Sequence, residues 1–75
     1  MIAVQSKMAR VAVGWGVREL AAQAKVSPDT VARLERGEAL APRTLAAIRT
    51  ALESAGVEFI EENGGGPGVR LRAAG

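Results

Sequence analysis

The stretch VRELAAQAKVSPDTVARLER, residues 17–36, predicts two short helices joined by a tight turn. Its clearest local signal is Ser27-Pro28-Asp29. This tripeptide combines a capping hydroxyl, a proline at the first helical position, where no amide hydrogen is needed, and an acid in the first turn. A helix over residues 27–36 must begin there, preceded by a helix over residues 17–24.

The spacing of apolar residues predicts which face of each helix is buried. In the second helix, Val31 and Leu34 are expected to point inward, and Thr30, Arg33 and Arg36 outward. The first helix, with Gly16 as its N-cap, has a predicted inward face of Leu20, Ala21 and Ala24. The polar outer face of the second helix is therefore available for a ligand.

Two further helices are predicted on either side of this pair. The earlier one covers residues 3–13 and stops at Gly14, and the later one covers residues 43–55 between Pro42 and Gly56. The later helix has one apolar stripe, Leu45, Ile48 and Leu52. The earlier helix has two: Val4, Met8, Val11 and Trp15, and also Ile2, Ala9 and Val13. One small core cannot bury both stripes, so we expect one to remain available to a partner or to the C-terminal segment.

After residue 56 the apolar period changes from helical to alternating. Residues 57–60 and 69–72 are predicted as strands of a hairpin with a glycine-rich loop between them. The residues on its apolar face are Val57, Phe59, Val69 and Leu71. The hairpin either covers the helices of its own chain or forms a dimer surface, with ion pairs from Glu58 to Arg70 or Arg72 across chains. We therefore predict a helical domain, residues 1–56, and a hairpin, residues 57–75, that is a candidate dimerisation element.

The composition argues against catalysis. The chain has 75 residues with no Cys, His or Tyr, so thiolate and imidazole ligands and the commonest general base are absent. One small core leaves no room for separate substrate and cofactor domains. We expect no enzyme activity, no metal and no cofactor. No apolar run is long enough to cross a bilayer and no signal-type segment follows Met1, so we expect a cytoplasmic protein.

The charges are unevenly distributed. Residues 1–56 contain eight basic and five acidic residues, a net charge of +3, whereas residues 57–75 contain two basic and three acidic residues, a net of −1. The helical part is therefore the better candidate for contact with a polyanion.

The helix pair resembles the helix-turn-helix of the phage repressor and Cro family, also called the xenobiotic-response-element (XRE) family. The similarity extends over about residues 2–56 and implies a mainly α, lambda-repressor-like bundle of four helices, here with a C-terminal β-hairpin. The matching residues are Arg10, Gly14, Leu20, Ala21, Val26, Val31, Leu34, Glu35, Gly37, Pro42, Arg43, Leu45, Ile48 and Leu52.

The resemblance implies a structural ion pair between Arg10 and Glu35. The sequence departs from the family at two positions. Lys25 occupies a turn position that is usually glycine, where a non-glycine residue costs roughly 1–2 kcal/mol. Val17 replaces a polar residue that often binds phosphate, so only the helix amides can meet a phosphate there.

The function implied is that of a sequence-specific transcription regulator of double-stranded DNA. A helix fits the major groove, where base pairs present distinct donors, acceptors and methyl groups. The candidate base contacts are Ser27, Pro28, Asp29, Thr30 and Arg33. The candidate phosphate contacts are Val17, through its amide, Arg18, Lys25, Arg36 and Arg43. One such helix reads only about four base pairs, so we expect a homodimer, associated with the nucleoid.

Some of these residues also have a simpler explanation. Ser27 and Asp29 are accounted for by capping, and Arg33 has Asp29 as its only evident partner within the helix. The alternative function is a protein-binding adaptor, antitoxin-like or directed at RNA polymerase or another regulator.

Overall fold

The computed structural model of the protein describes residues 1–61 and 64–72. Its elements follow the predicted order of four helices and a hairpin, and they are α1 (Ala3–Ala12), α2 (Val17–Ala24), α3 (Pro28–Glu35), α4 (Pro42–Ser54), β1 (Val57–Ile60) and β2 (Gly68–Leu71). The fold is mainly helical, as expected. Of the helices described, the longest has 13 residues, and none has the length and apolar character needed to cross a membrane.

The helix boundaries have local causes. Ser27 Oγ accepts a hydrogen bond from the Thr30 amide at 3.1 Å, which caps α3, and Pro28 occupies its first turn. The carboxylate of Glu19 accepts from the Gly16 amide at 3.0 Å at the start of α2. Gly16, Ser27 and Pro28 are the boundary residues from which the two helices were predicted.

The core lies between the four helices and β1. Leu20, Val31, Ile48 and Leu52 are completely buried, and Val57 of β1 joins them. The inward faces predicted for α2, α3 and α4 are therefore confirmed. Because Val57 lies in the same core, the helices and the hairpin are stabilised by one set of apolar contacts.

The two apolar stripes of α1 have different environments. Ala9 is completely buried and Val13 packs against the core, but Ile2 of the same predicted stripe is 52% exposed. In the other stripe Val4 and Val11 are 51% and 62% exposed, whereas Trp15 packs against the core. The buried face of α1 also contains Gln5 and Ser6, which the sequence analysis did not assign to the core. The Val4 and Val11 side of α1 is the one left available to a partner.

Gln5 connects α1 to the loop end of the hairpin, where Ile60 pairs with Gly68. Its Nε2 donates to the carbonyl oxygens of Ile60 at 2.9 Å and Gly68 at 3.1 Å. Its Oε1 accepts from the Ile2 amide at 2.9 Å. The buried amide thus has partners for both its donor and acceptor groups, as burial requires, and it fixes the hairpin on α1.

The hairpin is antiparallel and covers the helices of its own chain. Val57 pairs with Leu71 and Phe59 with Val69. Val57 is 1% exposed, and Phe59 and Val69 pack against the core. Between the two alternatives for the hairpin, the structure therefore supports the intrachain one.

The helical core takes up most of the predicted dimer surface, because Val57 is buried and Phe59 and Val69 pack against the core. Only Leu71, 51% exposed, remains open. Glu58 pairs with Arg70 at 2.8 Å within the chain rather than across chains.

The second strand begins and ends one residue earlier than predicted. It covers Gly68–Leu71 rather than residues 69–72. The Arg72 amide instead donates to the Gly56 carbonyl at 2.7 Å, closing the base of the hairpin. The difference lies within the usual uncertainty of strand ends.

Candidate nucleic-acid interface

The turn between α2 and α3 requires a left-handed residue. Lys25 has φ +58° and ψ +43°, and it is the one non-glycine residue with positive φ in the described part of the chain. Its conformation lets the Val26 amide donate to the Ala21 carbonyl at 3.0 Å, which ends α2. Lys25 therefore has the backbone strain that we expect of a non-glycine residue at this turn position.

We expect Lys25→Gly to raise the free energy of unfolding by about 1 kcal/mol, because glycine adopts this conformation without the steric penalty of a Cβ atom. For a domain of this size the melting temperature should rise by roughly 4–8 °C, measured by thermal circular dichroism. Lys25→Ala is the matched control, since it removes the same charge but keeps the strain. A lower melting temperature for the glycine variant would contradict this explanation.

The first turn of α3 faces solvent. Ser27, Pro28 and Asp29 are exposed, and Thr30 and Arg33 are partly exposed on the same side. The hydroxyl groups of Ser27 and Thr30 lie 2.8 Å apart and share a hydrogen bond. The structure thus brings the five predicted base-contact residues onto one accessible face, with the Ser27 hydroxyl already engaged in capping.

The partner of Arg33 is Glu38, not Asp29. Arg33 Nε donates to Glu38 Oε1 at 3.3 Å, and Arg36 Nε donates to Glu38 Oε2 at 3.0 Å. Arg36 Nη2 also forms an ion-pair contact with Oε2 at 2.9 Å. Hydrogen bonds from Arg36 and then Arg33 lower the pKa of the Glu38 carboxyl group. Glu38 thus belongs to the site, and the sequence analysis missed it.

One feature of the sequence could have predicted that Glu38 lies beside these arginines. Glu38 follows Gly37, whose φ of +87° reverses the chain at the end of α3. Such a reversal places the next residue back over the last turn of the helix. An acid at that position is therefore close to the basic residues of that turn.

Four of the predicted phosphate-contact residues are exposed: Arg18, Lys25, Arg36 and Arg43. Lys25 and Arg43 line the same open groove between the end of α2 and α4, although they belong to different elements. The first turn of α4 has no acidic residue, and its N-cap, Ala41, makes no side-chain cap. This end of α4 therefore combines a positive helix terminus with a cation.

Val17 differs from the other predicted phosphate-contact residues. It is half-buried and packs against the core. Its side chain therefore has a structural role, and only its backbone amide, at the start of α2, is available to an anion.

Arg10 and Glu35 form the ion pair that the resemblance implied. Arg10 Nε donates to Glu35 Oε2 at 2.7 Å and Nη2 to Oε1 at 3.0 Å, a bidentate arrangement. Arg10 Nη1 also donates to the Trp15 carbonyl at 3.0 Å. The hydrogen bond to Glu35 raises the pKa of Arg10, and burial opposes this rise. The side chains are only 13% and 12% exposed, so this pair joins α1 to α3 and does not belong to the accessible face.

Comparison with known proteins agrees with this geometry. A family model described as a helix-turn-helix domain matches residues 3–59, well over half of the chain. A comparison with curated proteins found no match. The matched range contains all four helices and most of β1.

Proposed function

The chain belongs to the helix-turn-helix domain family, and from this premise we propose that it is a sequence-specific regulator of transcription that reads duplex DNA with α3. The observation that carries the proposal is the accessible first turn of α3 together with Arg33. A helix of this kind enters the major groove with its N-terminal residues against the base edges.

The chemistry of this face suits base recognition. Arg33 can donate two hydrogen bonds to O6 and N7 of guanine, and the Asp29 carboxylate can accept from the amino group of cytosine. Pro28 and the methyl group of Thr30 can contact a thymine methyl group. Ser27 contributes mainly by capping the helix that carries these groups.

The neighbouring cations suit the DNA backbone. Arg18, Lys25, Arg36 and Arg43 lie on or beside the helix pair, and backbone contacts fix register and affinity without reading sequence. The modest net charge of +2 means that affinity depends on where these cations lie rather than on their number.

The proposal includes a homodimer in the nucleoid-containing cytoplasm. One recognition helix covers about four base pairs, too few for selection within a genome, whereas two half-sites provide enough. Most of the hairpin face first considered for this contact packs against the core of the same chain, which favours other surface for the second copy.

We expect wild-type protein to enrich an inverted repeat from a random duplex pool at physiological salt, because a dimer presents α3 twice. Arg33→Ala should relax the preference at one base pair of each half-site by about 1–3 kcal/mol. Arg70→Ala, an exposed arginine on the hairpin, is the control and should leave the selected sequence unchanged.

Each outcome of the selection has a clear meaning. Loss of preference at one position in Arg33→Ala supports reading by α3, and an unaltered motif contradicts it. A single half-site in place of a repeat contradicts the dimer. No enrichment by folded wild-type protein contradicts sequence-specific binding altogether.

The last outcome would favour the second candidate, a protein-binding adaptor. The observation behind it is the outer face of α1, where Val4, Lys7, Met8, Val11 and Ala12 line an almost wholly apolar groove. Such a face is typical of surfaces that bind another protein.

A further inference from the structure

We propose that Glu38 is a specificity-determining residue of the DNA-binding face. It holds the Arg33 guanidinium by Nε–H, so that the two terminal amino groups remain directed outward for a guanine. This inference rests on the proposed function, because it assigns Glu38 a role in how α3 reads DNA.

The two arginines are held in different ways. Arg36 donates Nε to Glu38 Oε2, and its Nη2 lies 2.9 Å from the same oxygen, so one edge of its guanidinium faces the carboxylate. Arg33 gives only Nε, and its terminal nitrogens have no hydrogen-bond partner among residues 1–61 and 64–72. The terminal pair of amino groups is the edge that can donate to both O6 and N7 of guanine. Arg33 is therefore restrained while its reading edge stays open.

The backbone places Glu38 where it can do this. The Gly37 amide donates to the Leu34 carbonyl at 2.9 Å, and the Glu38 amide donates to the Arg33 carbonyl at 3.0 Å. These are the two hydrogen bonds of a Schellman motif, which brings Glu38 beside Arg33. An apolar contact usually accompanies this motif, and here an ion pair takes its place.

Stability alone does not explain this ion pair. The Arg33 and Glu38 side chains are 43% and 47% exposed, and pairs this exposed contribute little to folding. An arginine side chain, however, loses considerable rotamer freedom when it binds a base. Restraining Arg33 before binding reduces that loss of rotamer freedom. It therefore strengthens the binding of duplexes that present a guanine to Arg33.

The charge of Glu38 acts in the same direction. The Glu38 carboxylate is ionised at neutral pH, as an exposed glutamate is, and its contacts with both arginines partly neutralise Arg33 and Arg36. The negative charge of Glu38 repels the phosphate backbone of any duplex. In a duplex without the correct base, no hydrogen bonds from Arg33 to that base offset the repulsion. Glu38 therefore weakens general binding while it supports the specific contact, and both effects increase discrimination.

The test compares wild type, Glu38→Ala and Glu38→Gln on two duplexes, the operator selected by wild type and the same operator with the Arg33-dependent base pair replaced. Affinities are measured by fluorescence anisotropy at one physiological salt concentration. We expect Glu38→Ala to bind the replaced duplex about twofold to fivefold more tightly and to lose roughly fivefold to tenfold of the wild-type discrimination. Glu38→Gln keeps an oxygen acceptor for Arg33 Nε and should lose less.

A double-mutant cycle separates a positioning role from a general structural one. In the Arg33→Ala background, Glu38→Ala should no longer change discrimination at that base pair, because Glu38 acts there through Arg33. Unchanged discrimination in Glu38→Ala, or the same loss with and without Arg33, would overturn the inference. The proposed function fails separately, if wild-type protein selects no duplex at all.

Discussion

Glu35→Ala is expected to lower the free energy of unfolding by about 3–5 kcal/mol, because it leaves the Arg10 guanidinium buried without its counter-ion. Both bidentate hydrogen bonds disappear, and the remaining contact of Arg10 is with the Trp15 carbonyl. For a domain of 75 residues this corresponds to a fall in melting temperature of more than 10 °C, measured by thermal circular dichroism and urea titration.

Glu58→Ala is the matched control. The Glu58–Arg70 pair has nearly the same nitrogen–oxygen distance, 2.8 Å against 2.7 Å, but its side chains are 40% and 68% exposed rather than 12% and 13%. Its loss should change stability by no more than about 1 kcal/mol. Equal effects of the two substitutions would show that burial does not decide the value of the Arg10–Glu35 pair.

A double variant distinguishes a stranded charge from a lost attraction. Replacing both partners by apolar residues of similar size, Arg10→Met with Glu35→Leu, removes the pair without leaving an isolated charge. This variant should recover much of the stability lost in Glu35→Ala, as apolar replacements of buried pairs often do. If it is no more stable than Glu35→Ala, the geometry of the pair itself is required.

Local signals predicted the helices well, because each boundary depends on neighbouring residues. Ser27 with Pro28 fixes the start of α3, and Gly14 and Gly56, at φ +76° and +105°, follow α1 and α4. The apolar spacing of α2 and α3 also indicated which side faces the core. The same spacing predicted that Thr30, Arg33 and Arg36 face outward, and all three are partly or fully exposed.

Contacts between residues distant in sequence were harder to predict. Gln5 is polar, and nothing near it indicates that its amide meets the carbonyls of Ile60 and Gly68, more than fifty residues away. The way the hairpin packs on the helices depends on this contact and on the position of Val57 in the core. An alternating pattern identifies the apolar face of a hairpin but not the surface that covers it.

The role of Glu38 lies between these two cases. Its contacts with Arg33 and Arg36 are local, but they depend on the chain reversal at Gly37 rather than on helical spacing. Pairing by helical periodicity selects Asp29 for Arg33, because it considers residues three or four apart within one helix. The Schellman motif brings the residue after the helix end, here Glu38, within reach of Arg33 as a further possible partner.

Deleting the hairpin should have a larger effect still. A chain truncated after Gly56 is expected to be largely unfolded, because it loses Val57 from the centre of the core and the contacts of Phe59 and Val69 with it. Complete burial of one valine contributes roughly 1.5–3 kcal/mol. The buried Gln5 Nε2 loses both of its acceptors, at a further cost of about 1–3 kcal/mol.

These losses are large compared with the whole stability of a small domain, which is about 0.05–0.15 kcal/mol per residue. The test compares circular dichroism, thermal melting and sedimentation of the truncated and full chains. A chain ending after Arg72 is the control, since it keeps both strands. A truncated chain that melts cooperatively, as a monomer, near the temperature of the full chain would show that the helices fold without the hairpin, and it would restore the hairpin as a candidate dimer contact. An unfolded product would establish that β1 completes the core on which the position of α3, and hence of its exposed first turn, depends.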